Sequence, residues 1–226
     1  MPEPALSPVT LATVRQDPLV TTFIRQANTY LRAIGYTEHG ERHASLVANI
    51  ARNVLLRLGH PERTAELAAM AGYLHDIGNV IHRENHALNG ALIAKDVLLR
   101  AGMDLDEVAL IINAVGNHEE EQGSVTSIVA AALAIADKSD VHRSRVQEPD
   151  PLQFDVHDRV NYAVVRSFVR VSDARDIITL ELTIDTTASS VMEYFEIFLS
   201  RMLMCRAAAQ TLGCRFALVV NDVQLF

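Results

Sequence analysis

A helical bundle followed by a small α+β unit is the fold class this sequence predicts, and three observations carry that expectation. Up to Arg145, apolar residues recur at helical spacing between glycine and proline stops. Glu148-Pro149-Asp150-Pro151 then sets two prolines too close together for a helix. Beyond it, Ile178, Leu180, Leu182 and Ile184 alternate with Thr179, Glu181, Thr183 and Asp185, the period of a half-buried strand. The expected division is a helical domain over residues 1–146, then a linker and ββαβ module over residues 147–226.

The elements follow in order. From Val9 to Leu58 the pattern is helical, interrupted at Pro18 and Gly35 and stopped by Gly59; His43, Val47, Ile50 and Val54 share one face, so His43 points inward. Pro61 opens a helix that carries Leu67, Ala68, Ala71 and Leu74 towards His75-Asp76 and ends near Gly78. A third helix runs from near His86 to Gly102. A fourth is capped by Asp104 and carries Ile111, Ala114 and Val115 to His118, and a fifth runs from about Val125 through Leu133 to Asp137. In the module, Val165–Val171 forms a hairpin with the alternating strand across Ser172–Asp176. Val191, Phe195, Phe198 and Met202 mark an amphipathic helix, and Phe216, Leu218 and Val220 a last strand. So small a sheet leaves an edge or face to cover, which predicts docking on the bundle or a homodimer formed through the sheet or the helix around Phe195 and Phe198.

Composition excludes several classes. With 226 residues, 49% of them apolar, the chain can bury a substantial core. A net charge of −8 argues against a nucleic acid duplex as partner. No run reaches the length of a membrane span and the N-terminus lacks a basic start and apolar core, so a cytoplasmic protein is expected. Cys205 and Cys214 form no CxxC pair and read as buried thiols.

Six side chains carry the chemistry: His43, His75, Asp76, His86, His118 and Asp137. They fall on inward faces or at the ends of apolar helices, where polar groups need partners, and a metal ion serves several at once. Adjacent helical residues diverge by about 100 degrees, so His75 and Asp76 reach one ion only near a helix end, which Gly78 supplies. Imidazoles with carboxylates suit manganese, iron, cobalt, nickel or zinc, and the lack of cysteine ligands disfavours a closed structural zinc site. Just past Asp137, the cations Lys138, His142, Arg143 and Arg145 form a candidate cradle for phosphate oxygens. Glu119, Glu120 and Glu121 read as a solvated charge run, and His157-Asp158 as a substrate-lining or ion-paired doublet rather than a second metal site.

On these residues the sequence resembles the HD-domain superfamily of metal-dependent phosphohydrolases, whose signature is a first His, a His-Asp doublet and a distant Asp. Here they are His43 in GERHASLVANIA, His75-Asp76 in YLHDIGN and Asp137 in IADKSD. The resemblance implies an all-helical HD fold. His86, opening HALNGALIA, and His118, in GNHEEE, match the extra positions of members that hold two metals, with His82 as a rival to His86. By that similarity His43, His75, Asp76 and Asp137 hold one divalent ion, and Asp76, His86 and His118 the other, Asp76 bridging. The HD-GYP branch typically has Lys after HDIG and a GYP loop, where this chain has Asn79 and Gln122-Gly123-Ser124-Val125, and the HDxxED pattern of regulatory nucleotide hydrolases is absent too. The implied activity is hydrolysis of a phosphate ester of a nucleotide or small phosphorylated metabolite. Asp76 would be central, and Lys138, Arg143 and Arg145 would contact the substrate. Two alternatives share the ligand order: a di-iron oxygenase of the myo-inositol oxygenase kind, and a non-catalytic nucleotide sensor.

Overall fold

The structure, a computed structural model, describes residues 8–225. Helix α1 (Leu11–Gln16) starts in a capping box made by Thr10 and Thr13. Asp17 caps α2 (Pro18–Ala33), whose first residue is the proline read as an interruption. Helix α3 (Glu41–Leu58) stops at Gly59, where φ is +89°. Helix α4 (Glu62–Leu74) is followed by a 3-10 turn (Ile77–Val80), and then come α5 (His86–Arg100) and α6 (Leu105–Gly116), the latter capped by Asp104. Helix α7 (Ile128–Ser139) begins three residues later than the sequence pattern placed it, because the Ser127 hydroxyl takes the Ala130 N–H and fixes the start there.

After two short 3-10 turns come α8 (Val156–Ala163), β1 (Val164–Val171), β2 (Ile177–Ile184), α9 (Val191–Thr211), β3 (Arg215–Val220) and β4 (Val223–Gln224). The sheet order is β1-β2-β3-β4: the β1–β2 and β3–β4 pairs are antiparallel, while β2 and β3 run parallel and are joined by the α9 crossover. The expected ββαβ core is present. Helix α8 and the two-residue strand β4 are additions to it.

Position in the fold follows from burial. From Val129 to Ser139 every residue of α7 is buried, which its alanines permit by letting neighbouring helices approach on all sides. Helix α9 joins two apolar clusters. Its Met204, Ala208 and Ala209 belong to the bundle core, while Tyr194, Phe198, Met202 and Cys205 pack with the sheet residues Leu180, Leu182 and Leu218. Phe198, expected to serve self-association, is therefore spent inside its own chain. Both cysteines are buried and free, and burial pushes the Cys205 thiol up to about 12. Among the described residues no helix is long and apolar enough to cross a membrane.

Candidate metal centre

Six elements deliver the six side chains, one each. His43 lies on α3 and Asp137 on α7; His75 caps the end of α4, Asp76 starts the 3-10 turn, His86 is the first residue of α5, and His118 follows the end of α6. All six are buried. Gly78 makes the assembly possible, because a Cβ there would lie 2.0 Å from the His86 carbonyl oxygen and 2.4 Å from Gly90 N. Only glycine lets the turn carrying Asp76 rest on the start of α5.

The nitrogens and oxygens converge in two groups. His43 Nε2 lies 3.1 Å from His75 Nε2 and 3.3 Å from Asp137 Oδ1. His86 Nε2 lies 3.1 Å from His118 Nε2. Asp76 stands between: Oδ2 is 3.4 Å from His43 Nε2 and 3.2 Å from His75 Nε2, whereas Oδ1 is 3.3 Å from His86 Nε2 and 3.9 Å from His118 Nε2. The ligand atoms of His43, His75 and Asp76, those of Asp76, His86 and His118, and those of His75, His118 and Asp137 each fall within 4.8 Å of one another.

The other ring nitrogens decide what these contacts are. Nδ1 of His75 faces Gly72 O at 2.8 Å, that of His86 faces Arg83 O at 3.0 Å, and that of His118 faces Val115 O at 2.6 Å. A carbonyl only accepts, so each Nδ1 carries a hydrogen and each Nε2 points inward, offering a lone pair whenever the ring is neutral. His43 does the same through the Asp140 carboxylate, 2.7 Å from its Nδ1. Two neutral rings so placed would set lone pairs 3.1 Å apart with no hydrogen to share. Asp76 Oδ2, moreover, is buried with no hydrogen-bond donor. Inward Nε2 atoms around a carboxylate oxygen that has no donor fit a cation, and the nitrogen and carboxylate mixture fits a borderline divalent metal.

Protons are the competing cations. Burial pulls the His75 imidazole down, yet Asp76 and Asp137 outweigh it and push it up to about 10. Burial and Arg145 work against His43, which Asp137, Asp140 and Asp76 nonetheless raise. His118, buried and surrounded by His75, His86 and Lys138, is held well below its usual value. An ion entering the first group therefore displaces protons.

Around the centre, the sequence-expected cations separate. Lys138 is buried, its Nζ 2.8 Å from Asp137 Oδ2 and 2.6 Å from Glu120 Oε2. Arg145 is buried as well, giving Nη1 to Asp140 O and Nε and Nη2 to Glu38 O. Arg143 is exposed and lies over the Tyr162 ring at 5.1 Å, away from the centre. His82 is exposed and accepts from Glu84 N. The acidic run is not simply solvated: Glu120 is held below its usual value, despite burial, by Lys138 and Arg201. Asp140 was not anticipated, although it stands one turn beyond Asp137. Its carboxylate also takes Arg42 Nη2 at 2.8 Å.

A cavity of about 500 Å³ is lined by His39, Arg83 and Arg145 from the first part of the chain and by His157, Asn161 and Arg201 from the second. Asp158 is buried and lines a separate hollow, and Arg159 pairs with Glu193 at 2.9 Å, so the His157-Asp158 doublet does not act as one unit.

The pattern of the family described as HD domain matches residues 40–141, a span that holds all six convergent side chains. No curated protein matches the chain. Among solved structures, a predicted HD superfamily hydrolase from an uncultured Thermotogales bacterium is similar at 24% identity, over 54% of this chain and 67% of that one, with a TM-score of 0.43.

Proposed function

We propose, from the match of residues 40–141 to the HD-domain family, that the chain is a metal-dependent phosphohydrolase, cleaving a phosphate ester of a nucleotide or small phosphorylated metabolite at a dinuclear site. One observation carries the dinuclear reading: the two oxygens of Asp76 face different pairs of imidazole lone pairs, the arrangement a bridging carboxylate requires. His43, His75, Asp76 and Asp137 would hold one ion, and Asp76, His86 and His118 the other. Divalent ions there supply Lewis acidity for hydrolytic attack on a phosphoryl group near neutral pH.

The remaining roles fall to the chain itself. Arg145 and Arg201 line the cavity with positive charge where phosphate oxygens would lie. Lys138, committed to Asp137 and Glu120, positions the metal ligand rather than waiting for substrate. His157 and Asn161 bring the C-terminal part into the cavity wall, where the rest of the ligand would meet them. Arg143 stands apart, so Arg143→Ala should leave kcat/KM within about twofold of wild type. Arg145→Ala should raise KM and destabilise the fold by about 3 kcal/mol, because it strips Asp140 of a buried partner; steady-state kinetics and urea melts read both. Self-association belongs to the same proposal, now through Met192, Leu199 and Leu203, which are exposed on α9.

Metal analysis of the purified chain, then a panel of phosphate monoesters and diesters with manganese, iron or cobalt, tests the proposal. Phosphate release that a chelator abolishes and Asp76→Asn lacks is the expected result. Oxygen uptake by the iron-loaded chain without ester cleavage would replace it with the oxygenase, and tight nucleotide binding without turnover would replace it with the sensor.

A further inference from the structure

The two halves of the centre meet their charge differently. Where His43, His75 and Asp137 converge, the nearest cation is Lys138, bound to the outer oxygen of Asp137, and Asp76 Oδ2 has no donor. The second half has a cation of its own. Arg83 Nη1 lies 3.2 Å from His86 Nε2 and 3.3 Å from its Nδ1, while Nη2 lies 3.4 Å from Glu119 Oε1. That Glu119 oxygen is itself 3.1 Å from His86 Nε2. Nearly equal distances to the two ring nitrogens put the guanidinium against the His86 imidazole rather than on its Nε2 lone pair, with the Glu119 oxygen beside both.

Arg83 also reaches solvent. Its side chain is 27% exposed, its guanidinium rests over the Tyr36 ring at 5.3 Å, and it lines both the cavity shared with Arg145 and Arg201 and a groove beside α5 that His86 also lines. A divalent ion held by Asp76, His86 and His118 would lie next to this guanidinium, and like charges at such a distance in a buried site repel strongly.

We infer that Arg83 is a built-in competitor for the second metal ion. The inference rests on the dinuclear reading above. The first ion enters a group where no fixed side-chain cation touches the imidazoles and only protons compete, and binds the more tightly. The second must displace Arg83 from His86, so it binds more weakly and in a separate step. Its arrival sends the guanidinium into the cavity, where an anionic ligand gives it a new partner, and leaves Glu119 beside His86 Nε2 to face the incoming charge. Loading of the second position and capture of the anion are thereby coupled through one side chain.

Calorimetric titration of the chelator-stripped full chain with manganese chloride tests this without reference to activity. Wild type should show two binding steps. Arg83→Met, which keeps length and removes charge, should tighten the second step by about tenfold or more and leave the first within about twofold, and Arg83→Lys should fall between. Thermal melts of the stripped proteins check that Arg83→Met folds as wild type does, and if it does not, Arg83→Gln takes its place in the same titration. Two steps in wild type with an unchanged or weakened second step in the neutral variants would overturn the competitor while sparing the dinuclear site. A single ion in wild type and in the neutral variants alike would overturn both.

Discussion

Asp140 does for His43 what backbone carbonyls do for the other three imidazoles: it takes the Nδ1 hydrogen and so aims Nε2 at the centre. Arg42 and Arg145, with the His43 contact, hold its carboxyl well below the usual carboxylate range although burial opposes this. Asp140→Ala is expected to lower first-site metal affinity by about 10- to 100-fold, with Asp140→Asn recovering part because its amide oxygen still accepts; competition against a chromogenic chelator measures both. Unchanged affinity in the alanine variant would remove Asp140 from the site. The spacing of Asp140 from Asp137 was open to inspection in the sequence, yet its role was not, since it depends on Arg42 and His43 from almost 100 positions away. The same limit separates Arg143 from Arg145. Two cations two residues apart look equivalent in sequence, and the 3-10 turn sends one onto Tyr162 and the other under Asp140.

At the scale of elements, periodicity served well where helices are long and apolar on one side, and the ligand order survived because each ligand sits at a helix end or an inward phase. It missed α8, whose eight residues VHDRVNYA are too few and too polar to show a stripe, and β4, whose two residues show no period at all. The turn after α4 supplies a sharp test. Gly78→Ala would press a methyl group against the backbone of α5, which has no rotamer to yield, so a loss of about 3 kcal/mol or more is expected, together with loss of the proposed second metal step. A melt within a degree of wild type would contradict the packing. Helix α9 offers a test in pH. Glu193 closes its capping box by accepting from Ser190 N, and with Arg159 and Ser189 this brings its carboxyl down to about 2 from an ordinary 4.5. Because the folded value is the lower one, the contribution is complete above 4.5 and is lost as pH falls from 4.5 towards 2. Glu193→Gln should flatten that limb of stability against pH in urea melts, and an unaltered acid limb would show that the box contributes nothing.

For the whole molecule, the change of texture near Glu148 suggested two units, and the proposal of a helical domain over 1–146 followed by a module over 147–226 still describes the chain's composition. The packing implies that the two do not fold separately. Met204, Ala208 and Ala209 of α9 complete the core around α7, Ile178 of β2 joins the same core, and the opposite side of α9 closes the sheet. Arg201 reaches from α9 to Glu120, whose other oxygen holds Lys138 beside Asp137, so the second half also braces a proposed metal ligand. Removing residues 147–226 would uncover apolar surface along α7 and leave Glu120 and Lys138 without Arg201. The full chain is therefore expected to unfold in urea in one transition, with coincident midpoints by far-ultraviolet and near-ultraviolet circular dichroism. A fragment ending at residue 146 should melt with a broad, weakly cooperative profile and bind manganese less tightly than the full chain. Two separated transitions, or a fragment that melts sharply and binds metal as the full chain does, would show that the sheet and α9 are an accessory to the centre rather than part of its support.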